Sequence, residues 1–123
     1  MVANPISTFG PPVQLVDTTG TIVVDCTQGS HFLVTLTSTG RTLQFINPVQ
    51  GQIINVEVTQ DATGNRTITT YNTVSTLGTL VVQWAAATAP TLTTTAAGKD
   101  WLQFMYNGNL GKHLGWNPGK AFA

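Results

Sequence analysis

Charge is what this chain has least of. Only 8% of its 123 residues are Asp, Glu, Lys or Arg, five of each sign, where an ordinary soluble domain carries about 25%. A folded monomer of 13.1 kDa exposes on the order of 6,400 Å², so ten ionised side chains leave wide neutral areas. Arg41, Arg66, Lys99, Lys112 and Lys120 are scattered, and the net charge is +0. That pattern offers no basic stripe for phosphates, so nucleic acid is not an expected partner.

Other absences narrow the field further. A single cysteine, Cys26, rules out an internal disulfide and reads as a small, partly buried thiol. No apolar run approaches the roughly 18 residues of a membrane span. The opening Met1-Val2-Ala3-Asn4-Pro5 lacks the basic-then-apolar layout of a secretory signal. Together these predict a protein made and kept in the cytoplasm until assembly, with no membrane partner.

Catalytic signatures are also missing. His31 and His113 stand in no metal-ligand spacing with Cys, Asp or Glu. The carboxylates Asp17, Asp25, Glu57, Asp61 and Asp100 are isolated from one another in sequence, and nothing marks two of them as an acid and base pair. No nucleophile elbow, P-loop or dinucleotide fingerprint occurs. The expectation is a non-enzyme without catalytic residues, cofactor or metal.

What the chain does have is β pattern. At 41% hydrophobic it holds enough apolar side chains for the core of one domain. Thr21-Ile22-Val23-Val24 is a β-branched run, and Phe32, Val34 and Leu36 alternate with Leu33, Thr35 and Thr37. Thr42 to Ile46 follows the turn Ser38-Thr39-Gly40 and is ended by Asn47-Pro48. Ile54, Val56 and Val58 share one face of a strand over 52–59, and Arg66 to Tyr71 reads as its return across the tip Asp61-Ala62-Thr63-Gly64-Asn65, a β-hairpin. Leu80 to Trp84 and Trp101 to Tyr106 alternate likewise, the second followed by the turn Asn107-Gly108-Asn109 and a last short strand over 112–116. These features predict an all-β fold of about eight short antiparallel strands, sandwich or barrel-like, over residues 21–123.

Residues 1–20 differ. Asn4-Pro5, Gly10-Pro11-Pro12 and Thr18-Thr19-Gly20 break the segment with turn and polyproline signals. Ile6, Phe9, Val13 and Leu15 lie between those breaks, and such a segment suits an extended arm docked across a neighbour. Asp61 and Arg66 flank the hairpin tip, where they steady the turn or meet a partner. Trp84 and Trp101 fall within strand patterns and are expected in a core or subunit interface. Trp116, in Gly115-Trp116-Asn117-Pro118-Gly119, is the best candidate for an exposed contact.

In order along the chain, several of these segments resemble a β-rich module of tailed-phage virion proteins, found in small capsid decoration proteins and at tail-fibre ends. The matching stretches are Thr21 to Asp25 with Gly29 and Phe32, Val34 to Thr37, Arg41 to Phe45 with Asn47-Pro48, and Gly51-Gln52. Val58 to Thr69 is the strongest piece, followed by Trp84, Thr88 to Ala96, and Asp100 to Gly108. Asn72 to Gly78 and Gly111 to Leu114 depart from the module. The resemblance implies a homotrimer on a virion. A chain scarcely longer than one module plus an arm is expected to be a capsid decoration (cement) protein. Its partners would be copies of itself and the major capsid protein, and its place the outer capsid surface. The alternatives are a tail-fibre tip that binds a host surface receptor, and a carbohydrate-binding module.

Overall fold

The computed structural model describes residues 11–18 and 20–122. Ten strands occur among them: β1 (Val13–Gln14), β2 (Thr21–Asp25), β3 (His31–Leu36), β4 (Arg41–Ile46), β5 (Ile53–Gln60), β6 (Ile68–Ser75), β7 (Gly78–Val81), β8 (Gln83–Trp84), β9 (Lys99–Asn107) and β10 (Lys112–Phe122). The only helical piece among the described residues is one 3-10 turn at Ala85–Ala87. They form a sandwich of a six-stranded sheet, ordered β1-β3-β5-β9-β10-β8, and a four-stranded sheet, ordered β2-β4-β6-β7.

The all-β reading of the sequence is correct, and the pairing within it is richer than expected. From β1 to β6 the chain changes sheet at every step. Strands two apart therefore become neighbours and run parallel: β1 with β3, β3 with β5, β2 with β4, and β4 with β6. Antiparallel pairing begins only in the second half, where β7 lies on β6, β9 on β5 and β10 on β9. The expected hairpin over 52–71 is accordingly two strands in different sheets. A period of two tells which side chains face inward; it does not name the neighbouring strand. The expected strand over Leu80 to Trp84 also divides. It leaves the small sheet after Val81, passes through buried Val82 and joins the large sheet as β8.

Both sheets turn their apolar faces to one shared layer. Ile22, Val24, Leu43, Phe45 and Tyr71 come from the small sheet, and Phe32, Val34, Leu36, Ile54, Val56, Leu102 and Phe104 from the large one. Phe45 and Phe104 meet across the layer at a centroid distance of 4.6 Å. Trp84 joins them, edge-on to Tyr71 at 4.9 Å and to Phe104 at 5.4 Å.

One polar link crosses the same layer. The Thr73 hydroxyl on β6 lies 2.8 Å from His113 Nδ1 on β10 and accepts the His113 backbone N–H at 3.1 Å. Both side chains are fully buried, and the imidazole stacks on Phe45 at 4.3 Å. Burial disfavours the charged ring and pushes the His113 pKa down from 6.5 to about 4. In the unfolded chain the same ring titrates near its ordinary value. Between pH 6.5 and 4 the unfolded state therefore binds the extra proton, and stability falls as pH falls through that window. The loss expected from pH 7 to pH 5 is about 2 kcal/mol. Urea unfolding at the two pH values measures it, and the His113→Gln variant should lack most of the dependence. Thr73→Val, which strands two buried polar atoms on His113, should lower stability by about 1–3 kcal/mol at pH 7.

Candidate functional site

Strand directions give the sandwich two unlike ends. The near end collects residues 11–12, which lead into β1, together with the connections β2–β3, β4–β5, β6–β7 and β9–β10. The far end collects β3–β4, β5–β6, the long segment 85–98 and the close of β10.

Ionised side chains gather at the far end. Asp17, Arg41, Asp61, Arg66, Lys99, Asp100 and Lys120 lie there, while only Asp25 and Lys112 lie at the near end and Glu57 sits mid-strand. Most of the far-end charges hold loops in place. The Asp17 carboxylate meets Arg41 Nε at 2.5 Å and accepts the Thr37 N–H at 2.7 Å. Buried Asp100 accepts the Thr93 hydroxyl at 2.7 Å and the Ala121 N–H at 2.9 Å. Arg66 grips Asp61 through Nε at 3.0 and 3.1 Å and through a terminal nitrogen at 2.9 Å. Asp61 also accepts the Thr63 and Gly64 N–H groups, and the Arg66 hydrogen bonds, helped by these amides, hold its carboxyl below the usual range. Buried Gln60 closes the same corner: its amide donates to the Arg66 carbonyl at 2.9 Å and accepts the Arg66 N–H at 2.8 Å. Asp61 and Arg66, candidates for an exposed contact, thus spend their polar groups on the turn that passes the chain between sheets.

The near end is neutral and apolar. Val49, Leu77 and Leu110 project from three of its loops, 43%, 58% and 42% exposed. An open groove of about 400 Å³ runs between Ile46-Asn47-Pro48, Val74-Ser75-Thr76 and Tyr106. Side chains fasten the loops around it. Gln52 Nε2 donates to the Cys26 and Gly29 carbonyls at 3.1 Å, Gln50 accepts the Gly108 N–H, and Ser75 donates to the Gly111 carbonyl at 3.0 Å. Cys26 is buried here, and burial pushes its thiol pKa up to about 12, so it is an inert packing group.

The proposed arm divides. Ile6 and Phe9 lie outside the described residues. Val13 and Leu15 are half-buried and pack against this chain's own core. Val13 pairs with Phe32, and the Leu15 N–H donates to the Leu33 carbonyl at 2.7 Å. With Asp17 tied to Arg41, residues 13–17 belong to the β domain, and its boundary lies before them. Proline and glycine punctuation concealed a two-residue strand too short to show an alternation.

Trp116 lies half-buried on the outer face of the large sheet. Trp101 shares that face, 37% exposed, whereas Trp84 is core. Phe122, 50% exposed, was missed because β10 runs six residues beyond the expected strand end at Trp116. Its only sequence signal was an aromatic residue after Pro118-Gly119. Among the described residues no group of three His, Cys, Asp or Glu side chains is placed to hold a metal ion. Comparison with protein-family models, curated proteins and solved structures gives no match.

Gln52 provides a check on the fastened near end. Replacing it with Leu leaves two partly buried carbonyls without their donor, at an expected cost of about 1–2 kcal/mol. Amide hydrogen exchange should quicken at residues 26–30 and stay slow in β9.

Proposed function

We propose that this chain is a structural component of a tailed-phage particle, a capsid decoration protein that seats its near end on the outer shell. The observation that supports this most is convergence. Residue 11, which Ile6 and Phe9 precede in the chain, lies at the same end as Val49, Leu77, Leu110 and the open groove. That end holds two of the ten charges, so little desolvation of ions opposes its burial. The Asp17–Arg41 and Asp61–Arg66 ion pairs stand at the opposite end, away from the contact.

A stable seat for the near end on the shell needs a contact of the order of 1,000 Å². The homotrimer implied by the resemblance repeats that contact three times, and linkage multiplies the affinity of a modest single site. The phage setting rests on the resemblance, and the docking end rests on the geometry.

The test is co-sedimentation with shells of the encoding phage prepared without this chain. Deletion of residues 1–10, and separately the triple change Val49→Asp, Leu77→Asp and Leu110→Asp, should each reduce bound protein about tenfold or more. The triple variant should melt as the parent does, because Val49, Leu77 and Leu110 are exposed and lie outside the shared core, and thermal melts check that the deletion variant folds. Shell binding that survives both changes overturns the docking end.

A further inference from the structure

We propose that the outer face of the six-stranded sheet is a binding platform for a neutral oligosaccharide, a second activity independent of the near-end contact. The registers place its side chains in cross-strand rows. One row runs His31, Asn55, Gln103, Trp116; the next runs Leu33, Glu57, Trp101, Gly119.

Trp101 is held in place from both sides. Its indole nitrogen donates to Asn55 Oδ1 on β5 at 2.8 Å, and its benzene edge reaches Gly119 on β10, where a Cβ would lie 3.4 Å from Cε3. Phe122 rests on the same glycine, where a Cβ would come within 2.6 Å of its ring. The missing side chain at Gly119 thus lets two aromatic rings settle side by side on a twice-bulged strand. Trp116 is on the neighbouring row, one strand spacing of about 4.8 Å from β9.

Directed polar groups surround the rings. Asn55 Oδ1 also accepts from Gln103 Nε2 at 2.8 Å, which fixes both amides and leaves Asn55 Nδ2 and Gln103 Oε1 without a hydrogen-bond partner among the described residues. Glu57 and His31 face each other at 3.5 Å, both substantially exposed. Rings to stack on, flanked by fixed amides and a carboxylate that accept and donate hydrogen bonds, suit a polyhydroxylated ligand with apolar ring faces. The local charge is small, which favours a neutral sugar. A second copy of the chain fits less well, since a flat protein face would bury Glu57, Asn55 and Gln103 with polar groups unpaired. A saccharide brings hydroxyls to them and leaves the site wet.

The experiment uses the full chain with maltohexaose, cellohexaose, chitohexaose and mannohexaose as probes, followed by calorimetry and tryptophan fluorescence. At least one should bind saturably with a Kd near or below about 1 mM and shift the emission. Trp101→Ala and Asn55→Ala should each weaken binding about tenfold or more, and Gly119→Val, which displaces both rings, should do the same. All three sites lie on an outer face, and thermal melts verify that the variants fold. The near-end triple variant should keep full saccharide affinity, so loss of shell docking and loss of this activity are separable. Three results overturn the proposal: no saturation by any of the four probes at about 10 mM, unchanged affinity in Trp101→Ala, or a dimer dissolved by Trp101→Ala in the absence of saccharide binding.

Discussion

The apolar layer between the two sheets is the constraint on which everything else rests, and the path of the chain creates it. Because consecutive strands from β1 to β6 alternate between sheets, each crossing carries the chain over the edge of the core. The layer is filled from both sides at once, with Phe45, Phe104 and His113 in mutual contact at its centre. Neither sheet has an independent core. The β2-β4-β6 face and the β3-β5-β9 face are each half of a single interior, and the buried Thr73–His113 link ties them in one register.

That path also explains where the few charges go. Every crossing leaves backbone polar groups at a corner, and a corner closed over a core needs directed partners for them. At the far end Asp17, Asp61, Asp100 and Gln60 supply those partners, with Arg41 and Arg66 as counterions. At the near end neutral Gln50, Gln52 and Ser75 do the same work. The result is an uneven molecule: one end fastened by ions, the other by amides and hydroxyls beneath exposed Val49, Leu77 and Leu110. A chain with ten ionised side chains keeps most of them for structure, which leaves most of its exposed surface neutral.

Legibility in the sequence followed the length of each signal. Ile54-Val56-Val58 and Phe32-Val34-Leu36 were read correctly as inward faces, since six to eight residues give the alternation room to repeat. β1 and β8 have two residues each and were lost to the surrounding punctuation or merged with a neighbour. Trp116 was read as a candidate exposed contact for its position near an end; it lies half-buried on the same outer face as Trp101. Phe122 could not be joined to Trp101 in advance: a register shift lies between Phe122 and Gly119, the partner of Trp101, and their meeting point is a glycine with no side chain to read.

By itself the sequence determined that the protein is all-β, nearly uncharged, and equipped with inward-facing strands whose side chains were identifiable one by one. Alternation is a local property, set by the pleat of each strand, so it survives in one dimension. The choice of neighbour was settled only in three dimensions. Parallel pairing of strands two apart, the gathering of charge at one end and the seating of two rings on Gly119 all depend on which residues distant in sequence come into contact. Such contacts are chosen by the packing of the shared layer as a whole, which no single segment encodes.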